Sequence, residues 1–325
     1  MRAARVHEYG TPDVVTIEEI PSPSPGEGQV RVRVHSASVN YPDVLMMGGR
    51  YQVSVPVPYV PGCEFSGVIL ETRPGVTGLA PGQPVTGMAT HGAFAEEVVV
   101  DAWQLTPMPE GIDWNTAAAF GVTYTTAYHS LRTLAHVRPG EWVTVLGAAG
   151  GVGLATVDLA RAMGARVLAA ASGPERLEVC RERGAQACVD YQHEDLKARI
   201  REITGGGTDV TVDPVGGDHT EQALRSTRPR GRFVVVGFAS GEIPRIPLNL
   251  VLLKTISVMG FENRTVLEHF PEAPAHRADL LRMLATGQIS PYIGGVFPLA
   301  DTAEALKRVA DRRAIGKIVI DIGTA

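Results

Sequence analysis

The sequence predicts a two-part α/β chain: a β-rich first third, then a doubly wound parallel sheet. Three observations point there. The first third carries short valine-rich runs between Pro/Gly clusters. In Val30-Arg31-Val32-Arg33-Val34 apolar and polar residues alternate with the period of a half-buried strand. From Glu141 onward strand patterns alternate with helix patterns, the rhythm of βα units in a parallel sheet. Between the first such strand and its helix lies Gly147-Ala-Ala-Gly-Gly-Val-Gly153, a turn rich enough in glycine to approach a phosphate closely.

Taken in order, Val14–Ile20, Gln29–Ser38, Phe65–Glu71, Gln83–Met88 and Ala93–Val100 read as strands, punctuated by PSPSPGEG and RPGVTGLAPG. Asn115–Leu134 reads as one helix on its alanine and leucine spacing. Val143–Leu146 is a continuous apolar strand, and Val152–Met163 a helix ending near Gly164. Arg166–Ala171 is the next strand and Glu175–Glu182 the next helix, stopped by Gly184. Strands at Ala187–Val189, Val210–Val212 and Phe233–Gly237 follow, with helices around 195–204 and 220–227 between them. After Ile256–Phe261 come a helix Ala278–Thr286, a short strand Val296–Pro298, a helix Ala300–Asp311 and a last strand Lys317–Ile322. These last elements leave the βα rhythm and are free to return to the β-rich part.

Composition bounds the function. At roughly 150 residues per domain, 325 residues leave room for two. With 44% hydrophobic and 20% charged residues the chain is globular rather than disordered. A net charge of −5 with no basic run argues against a nucleic-acid partner. Three cysteines, at 63, 180 and 188 with no CxxC, build no disulfide framework, so a reducing, cytoplasmic location is expected. The opening MRAARVHEYG lacks the apolar core of a signal peptide. The most apolar window, Val143–Ala160, contains Asp158 and four glycines and ends at Arg161, so a glycine turn explains it better than a membrane span.

The glycine loop is where cofactor chemistry enters. In a dinucleotide fingerprint the first position makes the tight turn, the second lets backbone approach the pyrophosphate, and the third permits close helix–strand packing. Ala148, Gly150 and Gly153 hold those places, with Gly151 and Val152 opening the helix whose N-terminus would receive the anion. An NAD site usually has an acid at the tip of the following strand, about 20 residues on. Here the tip is Ala171, followed by Ser172 and, in the next helix, Arg176. A hydroxyl and a guanidinium suit a 2′-phosphate, so NADPH is the expected cofactor.

The runs Val39-Asn40-Tyr41-Pro42-Asp43, Pro61-Gly62-Cys63-Glu64-Phe65-Ser66-Gly67, Gly121-Val122-Thr123-Tyr124-Thr125-Thr126-Ala127-Tyr128, the glycine loop and Asp213-Pro214-Val215-Gly216 form an ordered series. With Gly316-Lys317 near the end, it spans essentially the whole chain. It resembles the medium-chain dehydrogenase/reductase superfamily, in its zinc-free quinone oxidoreductase branch, which includes the zeta-crystallin-like proteins. The resemblance implies a GroES-like catalytic domain from 1–121 and 262–325, and a Rossmann domain from 122–261. It also implies hydride transfer from NADPH to an electron-poor acceptor. By position, Asn40 matches the polar residue facing the nicotinamide and Thr123 one near its carboxamide. Arg176 and Tyr191 match the residues that hold the 2′-phosphate, Arg312 an arginine near it, and Lys317 a further cofactor contact. Gly237 and Phe238 match a loop that passes the cofactor. Relatives often carry a second aromatic after the Asn–Asp pair, where this chain has Leu45; Tyr51 fits a later one.

Zinc alcohol dehydrogenases of the same superfamily use Cys, His and a further Cys or Asp as ligands; where they carry Cys-x-His this chain has Asn40 and Asp43, and where they carry Gly-His-Glu it has Gly62-Cys63-Glu64. A thiolate with two carboxylates and no imidazole is an unusual zinc set, so no metal is expected. Nor do the nine histidines pair as HxH or HxxxH. Without a Lewis acid, reversible alcohol oxidation loses its polarising group. A quinone or an α,β-unsaturated ketone needs less help, because conjugation spreads the incoming charge. Candidate catalytic residues are Asn40, Asp43 and Tyr51; the candidate proton donors are Tyr51, Tyr41 and water, since a phenol is protonated near neutral pH. Asn40 and Asp43 equally fit a loop-structuring pair with Asn40 as helix cap. The alternatives are a 2-enoyl reductase acting on enones, enals or enoyl thioesters, and an NADPH-binding protein with little turnover. The apolar runs Leu248–Leu253 and Ile256–Phe261, near the end of the parallel sheet, point to a homodimer joined sheet edge to sheet edge.

Overall fold

The structure, a computed structural model, describes residues 1–323. By contact the chain divides into two units: Met1–Val122 with the segment from Pro291 onward, and Thr123–Ser290.

The second unit is built on six parallel strands in the spatial order Ala187–Asp190, Arg166–Ala171, Trp142–Leu146, Thr208–Asp213, Thr227–Val235, Ser257–Gly260. The chain starts in the middle, steps outward twice, then returns and proceeds the other way. That is the order of a dinucleotide-binding sheet, and it reverses between Trp142–Leu146 and Thr208–Asp213. Ligands of open α/β sheets bind beyond the carboxyl ends of the strands at such a reversal. All five residues of Trp142–Leu146 are buried, as a central strand covered on both faces requires. The core around it joins Leu146, Leu168, Ala170, Val189, Leu224 and Phe233.

The first unit carries a seven-stranded sheet. Its path runs Ile293–Pro298, Lys317–Asp321, Gln29–Val39, Glu64–Thr72, Pro84–Met88, Leu105–Pro107, with Glu97–Asp101 also on Gln29–Val39. The last strand therefore returns to the β-rich part, antiparallel to Gln29–Val39, with Ile318 opposite Val39. Val30, Val32 and Val34 point inward while Arg33 is exposed, so the valine alternation is a true half-buried strand. Further along, Ser36 to Val39 are all buried, polar residues included.

Three features depart from the expected elements. The helix expected over Asn115–Leu134 breaks into Trp114–Ala118, Gly121–Tyr128 and a π-helical turn His129–Leu134. The break exposes the Val122 N–H, which donates to Glu64 Oε1 at 2.8 Å. Leu248–Lys254 forms a short helix, and only Ser257–Gly260 of the following apolar run is strand. Helices Asn263–His269 and Ala273–Ala285, expected with the first domain, group with the second unit. Side-chain bonds hold them there. Tyr128 Oη donates to Asp279 Oδ2 at 3.1 Å, and buried Asp158 accepts from Tyr124 Oη at 2.8 Å and from the Ser290 N–H at 2.9 Å. No described helix is long and apolar enough to cross a membrane.

Candidate functional site

In the second unit the glycine loop joins Trp142–Leu146 to the helix Gly151–Ala162. Its left-handed residue is Gly147, with φ 55°, one position before the Ala148 that the fingerprint suggested. The Ala148 methyl is buried instead, and its N–H donates to Ala170 O at 3.1 Å. Gly150 is the helix cap, its N–H held by Gly147 O at 3.0 Å. The N–H groups of Gly151 and Val152 lie in the first turn, where a helix has no internal acceptors for them. A Cβ on Gly153 would collide with the carbonyl oxygens of Gly147 and Ala148, which are backbone and cannot give way. Position 153 therefore admits only glycine, and it brings the helix close against the turn.

The neighbouring strand end braces it. Asp213 Oδ1 accepts from the Val215 and Gly216 N–H groups at 2.8 and 2.9 Å, and Oδ2 from Thr220 Oγ1 at 2.6 Å. A Cβ on Gly147 would lie 2.7 Å from Val215 Cγ2, so the two loops are in contact. Gly237 and Phe238 follow the strand Thr227–Val235. Phe238 leans on Gly216, where a Cβ would come within 2.9 Å of its ring. Thr123 is buried in the helix Gly121–Tyr128.

Ser172, Arg176 and Tyr191 gather at the ends of the two outer strands. Arg176 Nη1 lies 3.4 Å from Ser172 Oγ. The Tyr191 N–H donates to Ala171 O at 3.3 Å, and its ring packs against His219 with centroids 4.3 Å apart. The sequence reading missed one acid here. Asp190 ends the strand beside Ala171. Its carboxyl is held below the usual range, first by His193, 2.9 Å away, and also by the Gln192 and Gly173 N–H groups. It is engaged locally, leaving the tip at Ala171 without an acid of its own.

The first unit holds a buried polar cluster where three strand ends meet. Asn40 follows Gln29–Val39, Glu64 opens the next strand, and Lys317 opens the last one. Lys317 Nζ reaches Asn40 Oδ1 at 2.6 Å, Glu64 Oε2 at 3.2 Å and Val39 O at 3.2 Å. Those three acceptors use all three ammonium N–H donors, so none remains for the cofactor contact expected of Lys317. Asn40 Nδ2 donates to Glu64 Oε2 at 3.1 Å and to Ser38 O at 3.2 Å, and Ser38 Oγ also donates to Glu64. Lys317 is 4% exposed, Asn40 5% and Glu64 0%. Sequence reasoning did not find Ser38; its signal is a serine at an inward position of a valine strand.

Asn40 also caps the helix Tyr41–Met47, its N–H donating to Asp43 Oδ2 at 2.7 Å. Asp43 Oδ1 is buried with no hydrogen-bond partner among the described residues. Burial raises the Asp43 carboxyl from 3.8 to about 7. The folded state thus keeps a proton that the unfolded chain releases near pH 3.8, and stability falls as pH rises from there to about 7. Asp43→Asn mimics the protonated acid and should remove that slope. Its stability relative to wild type should grow by up to about 4 kcal/mol between about pH 4 and pH 8. Denaturant unfolding across that range checks this, and a pH-independent difference would contradict it. Tyr51 is half-buried against the core of this unit, and Arg312 lies in the turn after Thr302–Ala310, with φ 57°.

These residues do not fit zinc. Cys63 is a buried thiol between the Asp43 and Glu64 carboxyls, and burial pushes it well above its ordinary value; the set offers no imidazole. The Lys317 ammonium already occupies the space between Glu64 and Asn40. Among the described residues no group of three His, Cys, Asp or Glu side chains is placed to hold a metal ion. The nucleotide half, by contrast, fits a dinucleotide: a glycine turn closed to a Cβ at Gly153, and a guanidinium beside a strand tip that bears no acid.

Known proteins match both the N-terminal and the central part of the chain. Residues 26–110 match the family described as alcohol dehydrogenase GroES-like domain, and residues 151–276 that described as zinc-binding dehydrogenase. The chain is 38% identical over 324 residues to quinone oxidoreductase-like protein 2 of Bos taurus, covering 99% of this chain and 92% of that one. It is 34% identical over 331 residues to the 2-haloacrylate reductase of a Burkholderia species, covering 98% of each. Among solved structures, the Escherichia coli quinone oxidoreductase complexed with NADPH superposes with a TM-score of 0.92 at 26% identity, over 99% of this chain and all of the other.

Proposed function

We propose, for a chain that belongs to the medium-chain dehydrogenase/reductase superfamily and within it to the quinone oxidoreductase-like proteins, a zinc-independent reductase that passes a hydride from NADPH to a quinone or similarly conjugated acceptor. The observation that carries the reading is the buried Lys317 ammonium, bonded to Glu64 and Asn40 where zinc relatives keep their ligands. A fixed organic cation with no open position cannot polarise an alcohol or a carbonyl as zinc does, which favours an acceptor that spreads the incoming charge by conjugation.

Bound NADPH would supply the hydride. The chain's own residues bind and orient. Gly150, Gly151, Val152 and Gly153 would receive the pyrophosphate, and Ser172, Arg176 and Tyr191 the 2′-phosphate. Asn40 and Thr123 would face the nicotinamide end, and Gly237 and Phe238 would line the cofactor's path. Tyr51, Tyr41 or water would return the proton. A second reading, reduction of a 2-enoyl acid or thioester, is favoured by the 34% identity to a 2-haloacrylate reductase.

An NADPH-depletion screen over quinones, enals, enones and crotonyl-CoA tests the class. Turnover of quinones supports the first reading, turnover confined to enoyl substrates the second, and tight NADPH binding with no turnover reduces the chain to a binder. Exhaustive chelation should leave the activity intact, and elemental analysis should find no stoichiometric zinc. About one zinc per chain would reopen alcohol dehydrogenase chemistry.

A homodimer belongs to the same proposal. Leu248, Leu252 and Leu253 are exposed beside Ser257–Gly260, the outermost strand of the parallel sheet. An apolar edge of that kind pairs readily with a second copy. Light scattering should give twice the chain mass of 34.6 kDa; a monomer in dilute solution would contradict this. The three free cysteines agree with a cytoplasmic setting.

A further inference from the structure

We infer that Lys317 is a positioning residue: its buried ammonium is the fixed cation of the first unit's polar cluster and sets which way the Asn40 amide points. An asparagine amide can turn over, exchanging oxygen for nitrogen with little change in shape. Here the surroundings distinguish the two ends. The group 2.6 Å from Oδ1 is an ammonium, which only donates. Those facing Nδ2 are a carboxylate oxygen at 3.1 Å and a carbonyl at 3.2 Å, which only accept. The reversed amide would set NH₂ against NH₃⁺ and oxygen against oxygen.

The same bonds define what Asn40 has left to offer. Both Nδ2 hydrogens are engaged, and so is one lone pair of Oδ1. The capping box also places the Asp43 N–H against the Asn40 side chain, so Asn40 has only acceptor capacity at Oδ1 to share, and a group docking on it must be a donor, such as the NH₂ of a carboxamide. That step rests on the reductase reading, in which Asn40 faces the nicotinamide. The orientation itself does not. Lys317 also offsets the Glu64 carboxylate, and the two roles separate in a neutral pair. In Lys317→Met/Glu64→Gln no charge is buried, but the glutamine amide can turn to suit either Asn40 orientation, so the Ser38 carbonyl alone is left to select it and the selection is weakened.

The chain has only four asparagines, at 40, 115, 249 and 263, so selective ¹⁵N-Asn labelling resolves the Asn40 side-chain NH₂ pair. Its loss in Asn40→Asp assigns it. The double variant should melt near the wild type, yet exchange its Asn40 amide hydrogens about tenfold faster and lose about tenfold in kcat, with the KM for NADPH changing less than about threefold. Unchanged amide exchange with unchanged kcat would overturn the inference and leave Lys317 a charge neutraliser. Should the double variant fail to fold, the wild type still decides. A slowly exchanging Lys317 ammonium signal with a through-space contact to Asn40 is required, and its absence overturns the claim. If the wild type oxidises NADPH with none of the quinones, enals, enones or enoyl thioesters supplied as acceptors, the reductase reading falls while the amide spectrum still tests the orientation.

Discussion

Arg176→Ala raises the KM for NADPH by about 10- to 150-fold and leaves kcat nearly unchanged. Hydrogen bonds to charged groups contribute roughly 1.5–3 kcal/mol, and each 1.4 kcal/mol is about a factor of ten. Arg176 is half-buried at the edge of the sheet, so solvent screening should push the effect toward the lower figure, and added salt should reduce it further. The 2′-phosphate is remote from the hydride, so its binding is uniform along the reaction and the loss falls on KM. NADH kinetics should not move. Steady-state kinetics with both cofactors check this. If the variant impairs NADH and NADPH alike, or if the wild type uses them equally, the Ser172–Arg176–Tyr191 cluster is not a phosphate site.

Glu64→Ala lowers folding stability by about 3–5 kcal/mol, because it strands the Lys317 ammonium, 4% exposed, without its carboxylate. The Val122 N–H and the Ser38 hydroxyl lose their acceptors in the same substitution. Domains have about 5–15 kcal/mol in all, so the variant should unfold at much lower denaturant, read from the fluorescence of the three tryptophans. Adding Lys317→Met removes the stranded charge and should restore most of the loss. A cost below about 1 kcal/mol for Glu64→Ala would mean that the cluster is hydrated and the pair is of surface strength.

The parts of this molecule that were legible in the sequence are those where a local demand leaves a residue type behind. Gly153 must be glycine because two carbonyl oxygens stand where a side chain would begin, and that requirement shows as a fingerprint. The valine alternation of residues 30–34 follows from one buried face. Turn geometry within the loop was less legible. Gly147 and Ala148 both fit a tight turn on composition, and only the backbone shows that the left-handed position is the first. The break near Ala119 was hidden because its cause, the Glu64 carboxylate awaiting the Val122 N–H, lies 58 residues away. The Lys317–Glu64 pair is more distant still, 253 residues apart, and a lysine in a terminal strand carries no mark of the carboxylate it will meet. Asn40 and Asp43 were visible as candidates. Their engagement inside the cluster and in the helix cap was not, because it depends on strand ends brought together only by the folded sheet.

The measurement that tests the central claim most directly is anaerobic stopped-flow oxidation of NADPH, and in parallel NADH, by 9,10-phenanthrenequinone on protein of known zinc content. The account expects rapid single-turnover oxidation of NADPH by zinc-free protein, with a preference of at least about tenfold over NADH at subsaturating cofactor. No oxidation despite tight NADPH binding, or oxidation that appears only when zinc is restored, would contradict it.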